Sequence, residues 1–190
     1  MSQKMRLLET LVVGVLLFMS SRSGLEAATL FVAQSGDGSE GSSWETAFQT
    51  ISEALVASAS GDDIWIKSGT YTERLNLKRG VRVYGGFAGS EATDEFYLRD
   101  WNENLTLLEG AGLSGRGFKG ADCSTLDGIT AQGFNGGGII TAATMYVRNC
   151  SIRGNQIGVG DGAGLSISDA SVTLEGCIIA DNTGSSDGGG

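Results

Sequence analysis

Two pairs of acidic side chains stand near one end of this chain: Asp37 with Glu40, then Asp62 with Asp63. Clustered carboxylates are the hard oxygen donors that Ca2+ takes. The competing reading is that these acids cap and solvate loops around a helix. Asp62 and Asp63 are adjacent, so in a strand they point to opposite faces. Ca2+ held by Asp37, Glu40, Asp62 and Asp63 is the one cofactor these residues leave open. The stretch Gly36 to Gly41 also has Gly-x-Gly-x-x-Gly spacing, between a strand-like run and a helical one. That is the setting of a dinucleotide-binding loop. Three features oppose it: Asp37 and Glu40 would repel a pyrophosphate, the next strand ends in Lys67-Ser68 without an acid for the ribose, and no further βα units follow. Gly110 to Gly115 repeats the spacing but opens no helix, and reads as a chain corner.

Other reactive groups are few. The chain has no His, which excludes Ser-His-Asp and Cys-His pairings and imidazole metal ligands. Cys123, Cys150 and Cys177 lack CxxC spacing and read as buried, stacked thiols, with a disulfide after export left open. Asn104-Leu-Thr and Asn149-Cys-Ser fit the glycosylation sequon. Trp44, Trp65 and Trp101 could stack on sugars if exposed; Trp44 and Trp65 fit packing better, while Trp101 lies in a polar loop and stays open. The formal charge is −9, and the 13 basic residues are scattered. A phosphate-binding surface needs them clustered, so nucleic acid is excluded as a partner. The densest basic patch, Lys78-Arg79 with Arg82, reads as a solvated turn.

The elements that must position these residues begin after an export signal. Residues 1–28 have a positive start at Lys4 and Arg6, an apolar run from Leu11 to Met19, and small residues around Ala27-Ala28. Such a run suits a secretory signal and is too short to span a bilayer. Its removal leaves 10 basic and 20 acidic residues, a net charge of −10. Residues 29–110 then read as an N-terminal cap with the first coils. Thr29 to Ala33 is strand-like. Trp44, Phe48, Ile51, Leu55 and Ala59 share a helical face, predicting a helix over 44–59 with Ser43 as N-cap and Gly61 as its stop. From Asp63 onward the period changes to short alternating runs broken by Gly, over 63–67, 71–77, 81–84, 106–109, 139–140, 145–147, 165–167 and 172–174.

Residues 111–190 carry a repeat. Cys150-Ser-Ile152-Arg-Gly-Asn155 returns 27 positions later as Cys177-Ile-Ile179-Ala-Asp-Asn182. Asn135-Gly-Gly-Gly138, Asp161-Gly-Ala-Gly164 and Asp187-Gly-Gly-Gly190 recur every 26. Cys123 lies 27 before Cys150, but the residues after it match poorly. A period of this size with several strands and no helix marks a β-solenoid, an all-β fold of stacked coils about 4.8 Å apart. Cys150 then lies under Cys177, Ile152 under Ile179, and Asn155 under Asn182 at a corner where Asn tolerates left-handed backbone and its amide can bond to its neighbour above.

These motifs, with the opening Gly36-Asp-Gly-Ser-Glu-Gly-Ser-Ser-Trp44, Gly61-Asp-Asp-Ile-Trp-Ile66, Ser68-Gly-Thr-Tyr71 and Val83-Tyr-Gly-Gly-Phe-Ala-Gly89, resemble right-handed parallel β-helix proteins of the pectin-lyase-like kind. More narrowly they resemble bacterial surface proteins related to chlamydial polymorphic outer-membrane proteins. The resemblance implies that the helix caps the N-terminal end of a right-handed β-helix. It also implies further coils after Gly190 and contact with a membrane only through a C-terminal anchor. A fragment lacking those coils is expected to be poorly stable alone, because its last edge is uncapped. The expected role is a secreted or cell-surface module, adhesive, structural or carbohydrate-contacting, with an extracellular polysaccharide or a surface protein as partner. The alternative is the N-terminal segment of a polysaccharide lyase or glycoside hydrolase. Such chemistry asks for a Lys or Arg base beside paired acids. Asp161, Asp181 and Asp187, near Arg148 and Arg153, do not stand out from the repeat, so no catalytic residue is assigned.

Overall fold

The computed structural model describes residues 27–158 and 162–184. Nearly all of the export signal, together with Asp161 and Asp187, lies outside the described residues. The described chain opens with strand β1 (Thr29–Val32) and helix α1 (Ile51–Ala57). It then makes repeated circuits of short strands. The first is β2 (Asp63–Lys67), β3 (Gly69–Tyr71) and β4 (Leu75–Asn76). The second is β5 (Arg82–Phe87), a 3-10 turn at Phe96–Leu98, β6 (Thr106–Glu109) and β7 (Phe118–Lys119). The third is β8 (Thr125–Asp127), β9 (Ile129–Gln132) and β10 (Ile139–Thr141). A fourth runs through β11 (Met145–Arg148), β12 (Ser151–Arg153), β13 (Gln156–Ile157) and β14 (Leu165–Ile167). The last described strands are β15 (Val172–Glu175), β16 (Ile178–Ala180) and β17 (Thr183–Gly184).

Each circuit places one strand in each of three parallel sheets. Sheet one runs β1-β2-β5-β8-β11-β15, sheet two β3-β6-β9-β12-β16 and sheet three β4-β7-β10-β14, with β13 and β17 as a small fourth pair. The chain is therefore predominantly β, with parallel strands in stacked sheets and one α-helix among the described residues. Inward positions line up across circuits. In sheet one Ile64, Val83, Leu126, Val147 and Leu174 form one row. Tyr71, Leu108, Ala131, Ile152 and Ile179 form the row of sheet two. Leu75, Phe118, Ile139 and Leu165 form that of sheet three. Apart from Leu174, which is exposed on the last described strand of sheet one, the three rows meet in a single apolar core, where each fully buried Leu, Ile or Phe contributes about 1.5–3 kcal/mol.

The circuits differ in length. Val147 pairs with Leu126, 21 positions earlier, and with Leu174, 27 positions later. The 27-residue spacing of the Cys-x-Ile motif is thus one circuit, with Ser151 paired to Ile178 and Ile152 to Ile179. Cys123 belongs to no such row: it is exposed and left-handed, with φ 57°. The register also places the strand before Ser151 at Thr130, so the residue one circuit before Cys150 is Ile129.

Residues 44–50 are not helical. The hydroxyls of Ser42, Ser43 and Thr46 bond to one another and to the local backbone, offering that stretch an alternative to a helix. Phe48 lies alongside β1, exchanging backbone bonds with Phe31 at 3.0 Å and Ala33 at 2.9 Å. Helix α1 begins only after Thr50, which forms a capping box with Glu53. Its Ile51, Ala54 and Leu55 enter the core. Together Gly41, Phe48 and α1 cover the first strands, which protects an edge that would otherwise invite pairing. The expected single strand over 71–77 divides between sheets two and three, while β5 runs through Gly85 and Gly86 where a break was expected.

Asn155 and Asn182 form an amide ladder inside the structure. Asn155 is fully buried; its Oδ1 accepts the Phe134 N–H at 3.1 Å and its Nδ2 donates to the Ala131 carbonyl at 3.2 Å. One circuit on, Asn182 Oδ1 accepts from the N–H and the amide of Asn155, and its Nδ2 donates to Ile152. The left-handed residue at this corner is the preceding one, Gly154 (φ 62°) or Asp181 (φ 58°), not the Asn itself. The amides serve instead to satisfy backbone groups that the turn leaves buried. Replacing Asn155 by Ala strands those groups, so Asn155→Ala lowers the unfolding free energy by about 2–4 kcal/mol in urea denaturation. A loss below about 0.5 kcal/mol removes the ladder as a structural element.

Candidate functional site

The acids singled out in the sequence serve separate local tasks. Asp37 accepts the N–H of Ser39 at 2.9 Å and its hydroxyl at 2.6 Å, and these bonds hold its carboxyl below the usual range. Asp62 is buried and accepts the N–H groups of Ala28 and Ala59 at 2.9 and 2.8 Å. Asp63 pairs with Arg82, and burial pushes its carboxyl up despite that partner. Among the described residues no three His, Cys, Asp or Glu side chains gather as a metal site, so Asp37, Glu40, Asp62 and Asp63 are not brought together. The Gly36–Gly41 loop spends its N–H groups internally: Asp37, Gly38, Glu40 and Gly41 donate to Glu45, Ala47, Thr46 and Thr46. A phosphate finds no free donors there.

Of the residues weighed for acid–base chemistry and not assigned to it, Arg148 pairs with Glu175 at 3.0 Å, Arg153 is exposed, and Asp181 sits at a left-handed corner. Cys150 is buried and Cys177 partly so, both as free thiols; burial pushes the Cys150 thiol up to about 12. Asn149 donates its amide to Asp127 at 2.9 Å.

The outer face of sheet one is covered by the chain between β5 and β6. Trp65 and Phe87 stack there at 4.5 Å between ring centres, with Phe31, Trp44 and Phe96 around them. Arg99 fastens the cover. Its side chain is 6% exposed and pairs at 2.7 Å with Asp127, itself 7% exposed. It also donates to the Gly85 carbonyl and lies over the rings of Tyr84, Phe96 and Trp101 at 4.8–5.1 Å. Trp101 is thereby engaged by Arg99, and the Trp44 indole donates to the Glu91 carbonyl at 2.9 Å. Burial raises the Glu91 carboxyl, but N–H groups of Ala88, Gly89 and Ser90 outweigh it and hold it below its ordinary value.

Sheet three is different: its outer side holds an open groove. A cleft of about 430 Å3 lies along β4 and β7, lined by Glu73, Arg74, Asn76, Leu113, Arg116 and Lys119 among others. A second recess of about 260 Å3 continues it toward α1, sharing Arg74 and Asn76 and adding Leu55, Val56 and Lys78. The pairing of Asn76 with Lys119 sets the two side chains next to each other on adjacent circuits. Glu73, the groove's acid, is already occupied: it accepts the N–H groups of Ile51 and Ser52 at 2.8 and 2.9 Å and the Ser52 hydroxyl at 2.5 Å. Arg116 donates to the Gly162 carbonyl at 3.1 Å. Lys78 spends its ammonium on the carbonyls of Val56 and Ser58. The groove was not legible in the sequence, because Arg74, Arg116 and Lys119 meet only through strand pairing.

Comparison with models of known families, with characterised proteins and with solved structures finds no match. Among the described residues no helix is long and apolar enough to cross a membrane.

The buried Arg99–Asp127 pair predicts a large stability effect from one substitution. Arg99→Ala leaves the Asp127 carboxylate under the cover without its counter-ion, though still bonded by the Asn149 amide, and costs about 3–5 kcal/mol on unfolding. In a double-mutant cycle with Asp127→Ala, the second substitution adds much less than it does alone. Additive losses contradict the clasp.

Proposed function

We propose that this chain belongs to an exported β-helix module of a secreted or cell-surface protein, which contacts extracellular carbohydrate through its outer faces. Several observations support the reading. The circuits follow one rotation through three parallel sheets around one core. Crossovers between parallel strands are right-handed in about 98% of cases, so the fold is read as a right-handed parallel β-helix of the kind the sequence motifs resemble. The leader-like residues 1–28 support a place outside the cytoplasm. Stacked circuits give a stiff body with a broad repeating surface, suited to adhesion or structure.

The observation that carries the carbohydrate contact is the open groove of sheet three, with polar side chains at its rim. A binding role is favoured over the lyase or hydrolase alternative by Glu73. A catalytic acid or base must reach substrate, and both oxygens of Glu73 already accept bonds from α1. The reading is tested by incubating the exported protein with a panel of neutral and acidic polysaccharides, following retention and bond cleavage together. Retention without new reducing ends or unsaturated sugars is the expected result; cleavage of any member moves the protein to the enzymes.

A further inference from the structure

The groove on sheet three carries charge of a sign opposite to that of the protein. The chain has a formal net charge of −9, yet Arg74, Arg116 and Lys119 converge on one cleft. Among the described residues five of the ten basic side chains are already engaged. Arg82 pairs with Asp63, Arg99 with Asp127 and Arg148 with Glu175, while Lys78 and Arg116 bond carbonyls. Arg74 and Lys119 are different: among the described residues their side chains make no hydrogen bond or ion pair. Lys67, Arg79 and Arg153 also have no such partner, but none of them lines the cleft.

The positions of the two free cations are set by the fold. Arg74 immediately precedes β4, and its guanidinium lies against Gly115, where a Cβ would collide with it. Lys119 ends β7 and is paired with Asn76 of β4. The Asn76 amide, which has both a donor and an acceptor, is exposed and without a side-chain partner. Glu73 also lines the cleft and keeps its formal negative charge while α1 holds its carboxylate, so one acid faces three cations.

The geometry points to this cleft as a subsite for an acidic saccharide, whose carboxylate or sulfate group is held by Arg74 and Lys119 and whose neighbouring hydroxyl is bound by Asn76. A guanidinium offers a planar fork that fits either group with two bonds, and an ammonium adds a point charge. A bare anion would use only the cations. The Asn76 amide adds a group that can bond a hydroxyl, and the choice of a saccharide over an acidic peptide follows from the carbohydrate-contacting reading. The subsite rests on the carbohydrate-contacting reading above and names the ligand class for it.

The test uses the exported protein and three polymers of one backbone: dextran, carboxymethyl dextran and dextran sulfate, with poly-glutamate as the peptide comparison. One or both charged dextrans bind more tightly than dextran, and which of them does so identifies the acidic group. Binding weakens as salt is raised. Arg74→Ala and Lys119→Ala each lose about tenfold or more in affinity, with unchanged melting curves. Arg74→Lys recovers only part of it, because the fork is gone. Arg79→Ala and Arg153→Ala bind as the unaltered protein does. If charged dextran is still held by Arg74→Ala and Lys119→Ala, the subsite is wrong while the carbohydrate reading stands. If poly-glutamate binds as well as the charged dextrans, the ligand class is wrong. If no polymer binds, both readings fall.

Discussion

Parallel in-register stacking is the constraint from which the rest of the structure follows. Each circuit must return its chain to the same lateral position, or the next ladder of backbone hydrogen bonds cannot form. A slip of one residue would turn every inward side chain outward. This is why Leu126, Val147 and Leu174 keep one row although the circuits between them hold 21 and 27 residues. Extra length is pushed to the corners and to outward loops. The same constraint concentrates left-handed backbone at fixed points. Gly128, Asn149 and Gly176, with φ of 73°, 48° and 63°, hold successive corners between sheets one and two.

Outward positions are freed by that arrangement, and their fates diverge. On sheet one the long insertion between β5 and β6 folds back over aromatic side chains, fastened by the buried Arg99–Asp127 pair. The result is a second apolar cluster outside the first. On sheet three the loop carrying Leu113 and Arg116 stands beside β4 and α1 and leaves a cleft between them. Insertions of the same topological kind thus close one face and shape a groove on another. A pair such as Arg99–Asp127 is tied inside the cover, whereas Arg74 and Lys119 still face solvent with no partner.

The stacked architecture was legible because the Cys-x-Ile-x-x-Asn motif repeats within one circuit length, and Asn182 meets Asn155 across that spacing. The neighbouring circuit was hidden. At the corresponding positions it carries Ile129, Ala131 and Phe134 in place of Cys150, Ile152 and Asn155, so no residue identity marks its shorter length. The helix was overextended toward Trp44 because Trp44, Phe48 and Ile51 fit a helical face. The hydroxyl bonds of Ser42, Ser43 and Thr46 and the extended pairing of Phe48 decide the local conformation instead. The acids looked like a Ca2+ cluster only in sequence proximity; each is taken by a nearby backbone group or by Arg82, except Glu40, which stays exposed. The groove could not be read at all, since its cations are separated in sequence and are joined by register alone.

The register itself is open to direct measurement. In isotope-labelled protein, nuclear Overhauser contacts between amide and α protons report which residues lie opposite one another on neighbouring strands. The account predicts contacts consistent with parallel pairing of Thr130 with Ser151, and of Ser151 with Ile178. Contacts displaced by one residue, or an antiparallel pattern between these strands, would contradict it and remove the basis for the core, the amide ladder and the groove together.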